Sequence, residues 1–131
     1  MPSYVVGKVT DALNQRGESV MGSRILLLGM AYKKDVDDCR ESPGLEILHL
    51  LVQKGAVVSY NDPYIPRLPP IRKYPCLEME SKELTDQFLS SQDCVVVVTD
   101  HSNYDWERIV RLSLIVVDTR NVIKWGGVVR A

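Results

Sequence analysis

Short aliphatic runs alternate with amphipathic segments along this chain. Four runs have the length of buried strands, at 24–30, 56–60, 93–99 and 114–118. Before the first run, residues 4–15 carry apolar side chains on one face at helical spacing, namely Val5, Val9, Ala12 and Leu13. Continuously aliphatic strands that alternate with helices indicate a parallel sheet covered on both faces. The pattern therefore predicts a doubly wound, mainly parallel α/β domain preceded by a helix.

Capping residues predict where the second helix begins and ends. Ser42 suits an N-cap, Pro43 suits the first helical position, and Gly55 suits a left-handed residue just beyond the end. We expect the helix to occupy the residues between these signals.

The second half of the chain is less regular. Five of the seven prolines lie in residues 61–80, which predicts an irregular loop with Asp62-Pro63 in a turn. A short helix is predicted over 82–90. Ser102, with Asp105 three residues later, resembles a capping box and predicts a helix near 103–111. We expect His101 to help cap that helix rather than to act as a base.

Composition is that of a globular domain. The chain has 131 residues, of which 45% are hydrophobic and 25% charged, enough for one core. A net charge of −1 gives no general affinity for nucleic acid, and no apolar run approaches the roughly 20 residues that span a membrane. No segment resembles a secretory signal. Three widely spaced cysteines favour reduced thiols in a cytoplasmic protein over disulfides or zinc: Cys39, Cys76 and Cys94.

The loop after the first strand carries the candidate chemistry. In doubly wound sheets, ligands bind at the carboxyl ends of the strands, where the strand order reverses. Gly29 would allow a close pass by a ligand, while Lys33 and Arg40 could bind phosphate beside the positive end of the following helix. A strand-end turn with a solvated loop explains the same residues.

Two other kinds of site are disfavoured. The loop lacks the G-x-G-x-x-G of dinucleotide-binding domains, and the acid after the second strand, Asp62, follows Gly29 by 33 residues. We therefore do not expect this domain to bind NAD by itself in the usual way. The carboxylates of Asp35, Asp37 and Asp38 could suggest a metal, but solvated or lysine-paired side chains are the expectation, and no metal site is predicted.

Residues 29–43, GMAYKKDVDDCRESP, resemble the signature G-x-A-[YF]-K-x-D-x-x-D-x-R-E-S-P of the UDP-glucose/GDP-mannose dehydrogenase family. The segments 61–66, 99–101 and 118–121 are similar to later strand ends of that family. Residues 1–6 resemble the end of its long central helix. The resemblance implies a Rossmann-like domain in which 1–20 end the inter-domain connecting helix and 21–131 form the nucleotide-sugar-binding domain.

The resemblance also implies a function. Members of this family use NAD to oxidise the C6 alcohol of a nucleotide sugar to a carboxylate. This chain would be their C-terminal UDP-sugar-binding domain, inactive alone, with no catalytic residue of its own. NAD would be bound mainly by a missing N-terminal domain. Tyr32, Lys33 and Arg120 match residues that bind the UDP-sugar substrate, and Arg40 matches an arginine that reaches NAD.

The resemblance further implies a homodimer. The stripe on residues 4–15 has no evident place on a sheet that already has its own helices, so we expect it to lack cover within the domain and to promote dimers. The segments 61–66 and 99–101 resemble the branch that acts on UDP-N-acetyl sugars more than the UDP-glucose branch.

Two alternatives stay open. The chain could be a free-standing uridine-nucleotide-binding module without catalysis, or a degenerate Rossmann domain that serves dimerisation. The helix over 4–15 argues against the free-standing module, which has no evident need for it. Separate titrations with UDP and with NAD distinguish these interpretations.

Overall fold

The computed structural model describes residues 2–31, 33–35, 39, 42–70, 79–123 and 128–130. Within them, helices and strands alternate after an initial helix. In chain order the elements are α1 Pro2–Gln15, β1 Arg24–Leu28, α2 Pro43–Gln53, β2 Val57–Asn61, α3 Asp86–Ser90, β3 Cys94–Val97, α4 Trp106–Leu112, β4 Val116–Asp118 and β5 Val129–Arg130.

The strands form one sheet in the order β2-β1-β3-β4-β5, and every neighbouring pair is parallel. The chain passes from β1 to β2 on one side and then returns to β3 on the other. The strand order therefore reverses between β1 and β3, as the doubly wound prediction requires. The two-residue strand β5 was not predicted, because it is too short to carry a periodic signal.

Both faces of the sheet are covered, which explains why the strands are aliphatic throughout. On one face, Ile25 and Leu27 pack in a cluster with α1 and α2. On the other face, Leu26 and Leu28 pack with buried side chains of α3 and α4. Alternate side chains of β1 thus enter two separate cores, which confirms the layered α/β arrangement.

The expectation that the apolar stripe of α1 lacks cover within the domain is wrong. Val9 and Leu13 have no exposed surface, and they belong to the same cluster as α2 and one face of the sheet. A helix is about 10 Å wide and strands are about 4.8 Å apart, so α2 alone cannot cover this face. Helix α1 covers the part over β3. The stripe therefore provides no argument for a dimer, and α1 no longer argues against a free-standing module.

The capping predictions are confirmed for α2 and wrong for α4. Ser42 caps α2, with its hydroxyl accepting from the Gly44 N–H at 3.1 Å, and Gly55 adopts a positive φ of 88°. Helix α4 begins only at Trp106, and its N-cap is Asp105, which accepts from the Arg108 N–H. The side chain of Ser102 bonds elsewhere. No described helix has the length and hydropathy needed to cross a membrane.

Candidate functional site

The ends of β1 and β3 approach each other closely at the carboxyl edge of the sheet. Gly29 has a φ of 92°, and a Cβ placed on it would lie 2.5 Å from the Cβ of Thr99. The hydroxyl of Thr99 donates to the Ala31 carbonyl at 2.8 Å. The close approach of a neighbouring strand end therefore requires a glycine at this position, in keeping with the strand-end turn that the sequence also allowed.

Asp62, directly after β2, turns its buried carboxylate back towards β1. Its Oδ2 accepts from the backbone N–H groups of Met30 at 2.7 Å and of Ala31 at 2.9 Å. Its Oδ1 accepts from the Tyr64 N–H at 2.8 Å, which confirms the predicted turn. In dinucleotide-binding domains, N–H groups at this point of the chain bind phosphate. Here an internal carboxylate occupies the N–H groups of Met30 and Ala31.

His101 lies beside Asp62 and has no exposed surface. Its Nε2 is 2.9 Å from Oδ2 of Asp62, and its Nδ1 accepts from the backbone N–H of Asp35 at 2.8 Å. The prediction that His101 caps the following helix is therefore wrong. The position of His101 directly after β3, at the edge where the strand order reverses, was the one sequence signal that it could contact residues of the loops after β1 and β2.

Asp35 is held by the residue after His101. Its carboxylate accepts from the Ser102 N–H at 2.9 Å and from the Ser102 hydroxyl at 2.6 Å. The Ser102 N–H, and then the hydroxyl, lower the pKa of Asp35 below its ordinary value, aided by the charge of Lys34 and opposed by partial desolvation. Asp35 is exposed, as expected for a loop carboxylate, and it also bonds Ser102.

The other acidic residues of the loop, Asp37 and Asp38, lie outside the described residues. Among the residues that are described, no three His, Cys, Asp or Glu side chains are arranged to hold a metal ion.

Arg120 follows β4 at the same edge of the sheet. Its side-chain Nε donates to the Val98 carbonyl at 2.8 Å, and its backbone N–H donates to the Asp118 carboxylate at 2.9 Å. The next residue, Asn121, is left-handed with a φ of 57°. The arginine borders a pocket of about 290 Å³ at the starts of α1 and α2, which is lined by Pro2, Tyr4, Val5, Pro43, Ile47, Val98, Thr119 and Arg120.

The structure brings two of the four predicted binding residues to one edge. Lys33 is exposed in the loop after β1, and Arg120 is exposed after β4. Because β3 lies between those strands, their ends are about 10 Å apart. The other two, Tyr32 and Arg40, lie outside the described residues, so their roles stay predictions.

Neither described cysteine is placed as a nucleophile. The side chains of Cys39 and Cys94 are both buried. Burial, and then the nearby charge of Asp93, raise the pKa of Cys94 to about 12, so this thiol stays protonated at neutral pH. The core position predicted for Cys94 is confirmed, while Cys76 lies outside the described residues.

A doubly wound parallel sheet with cations at its switch-point edge defines an α/β domain of the nucleotide-binding class. Residues 26–125 match the UDP-glucose/GDP-mannose dehydrogenase family, UDP binding domain. The chain belongs to this family, which confirms the resemblance detected in the sequence.

Two curated relatives illustrate the similarity. The chain is 33% identical over 132 residues to a UDP-N-acetyl-D-mannosamine dehydrogenase of Methanococcus maripaludis (strain C7), covering 95% of this chain and 28% of the relative. It is 30% identical to a UDP-glucose 6-dehydrogenase of Rickettsia bellii, covering 94% of this chain and 29% of the relative. The chain thus spans less than a third of the length of these proteins.

Solved structures show the same fold. A UDP-D-ManNAc dehydrogenase from Pyrococcus horikoshii superimposes with a TM-score of 0.77 at 24% identity, over 98% of this chain and 30% of that one. An NDP-N-acetyl-D-galactosaminuronic acid dehydrogenase from Methanosarcina mazei Go1 gives 0.77 at 27% identity, over 94% of this chain and 26% of that one. Both proteins are named for N-acetylated sugars.

Proposed function

We propose that this chain binds the UDP part of a nucleotide sugar at the carboxyl edge of its sheet. The observation that carries the proposal is the placement of Lys33 and Arg120 on either side of the end of β3. The match of residues 26–125 to a UDP binding domain supports it. In this role the chain is the substrate-binding part of an NAD-dependent enzyme that oxidises the sugar C6 alcohol to a carboxylate.

The electrostatics of this edge suit a diphosphate. Arg120 uses one of its five N–H donors on the Val98 carbonyl, which fixes the direction of the side chain. The pocket beside it is bordered by Pro43 at the start of α2, where the helix dipole is positive. Lys33 adds a second cation across β3. A diphosphate with its ribose can bridge strand ends that are about 10 Å apart.

The remaining parts of the reaction belong outside the described residues. NAD would be bound mainly by another domain, since Asp62 already occupies the N–H groups of Met30 and Ala31. The nucleophile would also come from elsewhere, since Cys94 is buried and protonated. In our proposal Tyr32 joins Lys33 at the nucleotide sugar and Arg40 reaches towards NAD.

We extend the proposal to three finer points. A UDP-N-acetyl sugar is the substrate, in keeping with the names of the relatives from Methanococcus maripaludis and Pyrococcus horikoshii. The enzyme is a homodimer, as the family resemblance implies. It works in the cytoplasm, where the buried thiols of Cys39 and Cys94 stay reduced.

Calorimetric titration of the chain with UDP, and separately with NAD, tests the proposal. In our proposal this chain supplies only part of the pocket, so we expect a UDP dissociation constant on the order of 0.1–1 mM. Arg120→Ala should weaken UDP about tenfold or more, because a charge-assisted hydrogen bond contributes about 1.5–3 kcal/mol. Arg111→Ala is the matched control, since it removes the same charge from the last turn of α4, at the opposite edge. Arg40→Ala should barely change the affinity for UDP.

Each result has a clear meaning. Equal affinities in Arg120→Ala and Arg111→Ala would place the UDP site elsewhere. Failure of the wild type to bind UDP at millimolar concentration would favour the dimerisation interpretation. NADH production by the chain alone, from NAD and a UDP-sugar, would show that it is more than a substrate-binding part.

A further inference from the structure

A buried histidine connects three segments at the edge where UDP is proposed to bind. His101 follows β3, Asp62 follows β2, and Asp35 lies in the loop after β1. Together with Ser102, these residues form a continuous set of hydrogen bonds, called here the His101 network. The proposed function gives none of the four a contact with UDP.

The hydrogen bonds determine the tautomer of His101. A backbone N–H can only donate, so Nδ1, which receives the Asp35 N–H at 2.8 Å, carries a free lone pair. The ring hydrogen is therefore on Nε2, where it donates to Oδ2 of Asp62 at 2.9 Å. The imidazole is neutral in this arrangement, and each of its nitrogens has one partner.

The His101 network holds the loop on both sides of Lys33. Two residues before Lys33, the Ala31 N–H donates to Asp62 at 2.9 Å. Two residues after it, the Asp35 N–H donates to His101. The imidazole joins these two anchors, since it also bonds Asp62. The backbone is thus fixed on either side of Lys33, at the N–H groups of Ala31 and Asp35.

Asp35 is held in a conformation that the chain avoids without support. Its φ of 60° is in the left-handed region, which few residues other than glycine adopt, although aspartate tolerates it better than most. Ser102 donates both its N–H and its hydroxyl to the Asp35 carboxylate. Consecutive residues therefore bind the backbone and the side chain of Asp35, and the ring of Tyr64 packs beside His101 at 4.8 Å between centroids.

We propose that His101 is a positioning residue for UDP: by joining Asp62 to Asp35, it holds the loop in the shape that presents Lys33 to the phosphates. This inference rests on the proposed function. An exposed lysine in an unsupported loop would lose conformational freedom when it binds a ligand, and that entropy would be subtracted from the affinity. In the described chain the ordering has already been achieved by folding.

The positioning role of His101 can be tested by titrating two His101 variants with UDP in a calorimeter. His101→Leu removes both hydrogen bonds and should weaken UDP about tenfold. His101→Gln keeps one donor and one acceptor in a planar amide and should stay within about threefold of the wild type. A thermal unfolding curve for each variant shows whether it is folded. Nitrogen NMR of the wild-type imidazole should show the hydrogen on Nε2.

Ser102→Ala provides a test that does not depend on changing a buried residue. It removes only the exposed hydroxyl bond to Asp35, and it should weaken UDP about threefold without changing the melting temperature. Ser113→Ala is the matched control, since its hydroxyl bonds the Ile109 carbonyl at the end of α4. In a double-mutant cycle, Ser102→Ala should have no further effect once Lys33 is alanine, because the network acts through Lys33.

The possible outcomes separate this inference from the proposed function. If the wild type does not bind UDP, both are overturned. If it binds UDP and Lys33→Ala weakens binding, but Ser102→Ala does not, only the positioning role is wrong. Additive effects of Lys33→Ala and Ser102→Ala would likewise show that the His101 network acts in some other way.

Discussion

Replacing Gly29 by alanine should destabilise the domain more than replacing Gly17 by alanine. A Cβ at Gly29 would lie 2.5 Å from the Cβ of Thr99, 2.7 Å from its carbonyl oxygen and 2.8 Å from its nitrogen. Two of these three atoms are backbone atoms of the strand end, so they cannot move as a flexible side chain would. The ends of β1 and β3 would have to separate.

The expected loss of folding free energy in Gly29→Ala has two parts. A left-handed φ of 92° costs a residue with a Cβ about 1–2 kcal/mol. Overpacking a tight site adds about 1–3 kcal/mol. The total of about 2–5 kcal/mol is a large part of the roughly 5–15 kcal/mol that stabilises a typical domain. For a chain of this size the melting temperature should fall by about 10 °C or more.

Gly17→Ala is the control that separates the two parts. Gly17 also has a positive φ, of 76°, but no atom lies within 4 Å of the position its Cβ would occupy. That variant should lose only about 1–2 kcal/mol. Both variants can be compared with the wild type by urea unfolding followed by circular dichroism. Equal losses for Gly29→Ala and Gly17→Ala would refute the close approach of β1 and β3.

Two further predictions concern titratable groups. Iodoacetamide at pH 8 should leave Cys94 unmodified in the folded chain and modify it in denaturant, as measured by peptide mass spectrometry. The reason is that a pKa of about 12 in place of 9.0 makes the thiolate about a thousandfold rarer. Rapid labelling of Cys94 in the folded chain would contradict its burial. The lowered pKa of Asp35 means that its contribution to stability is present above pH 3.8 and is lost as the pH falls through the folded-state pKa. The stability difference between wild type and Asp35→Asn should therefore shrink below pH 3.8. A difference that stays constant with pH would show that the Ser102 bonds do not favour the charged form of Asp35.

The sequence alone determined the features that depend on neighbouring residues. The aliphatic strands follow from a sheet covered on both faces, and the limits of α2 follow from Ser42, Pro43 and Gly55. The family signature is likewise a continuous segment. Lys33 and Arg120 could be placed at one edge, because the carboxyl ends of parallel strands meet there.

The tertiary structure decided everything that depends on competition between distant partners. A serine followed three residues later by an acid predicts a cap, but Ser102 bonds Asp35, which is 67 residues away, and Asp105 caps α4 instead. His101 reaches Asp62 across 39 residues. A side chain's donors and acceptors go to whichever partners the folded chain brings within about 3 Å, and no local pattern specifies those partners.

The burial of α1 has the same origin. Its stripe shows that Val9 and Leu13 share one helix face, and the pattern cannot say what covers that face. In the folded chain, α2 is too narrow to cover all the strands on that side of the sheet, so α1 packs beside it and is buried there.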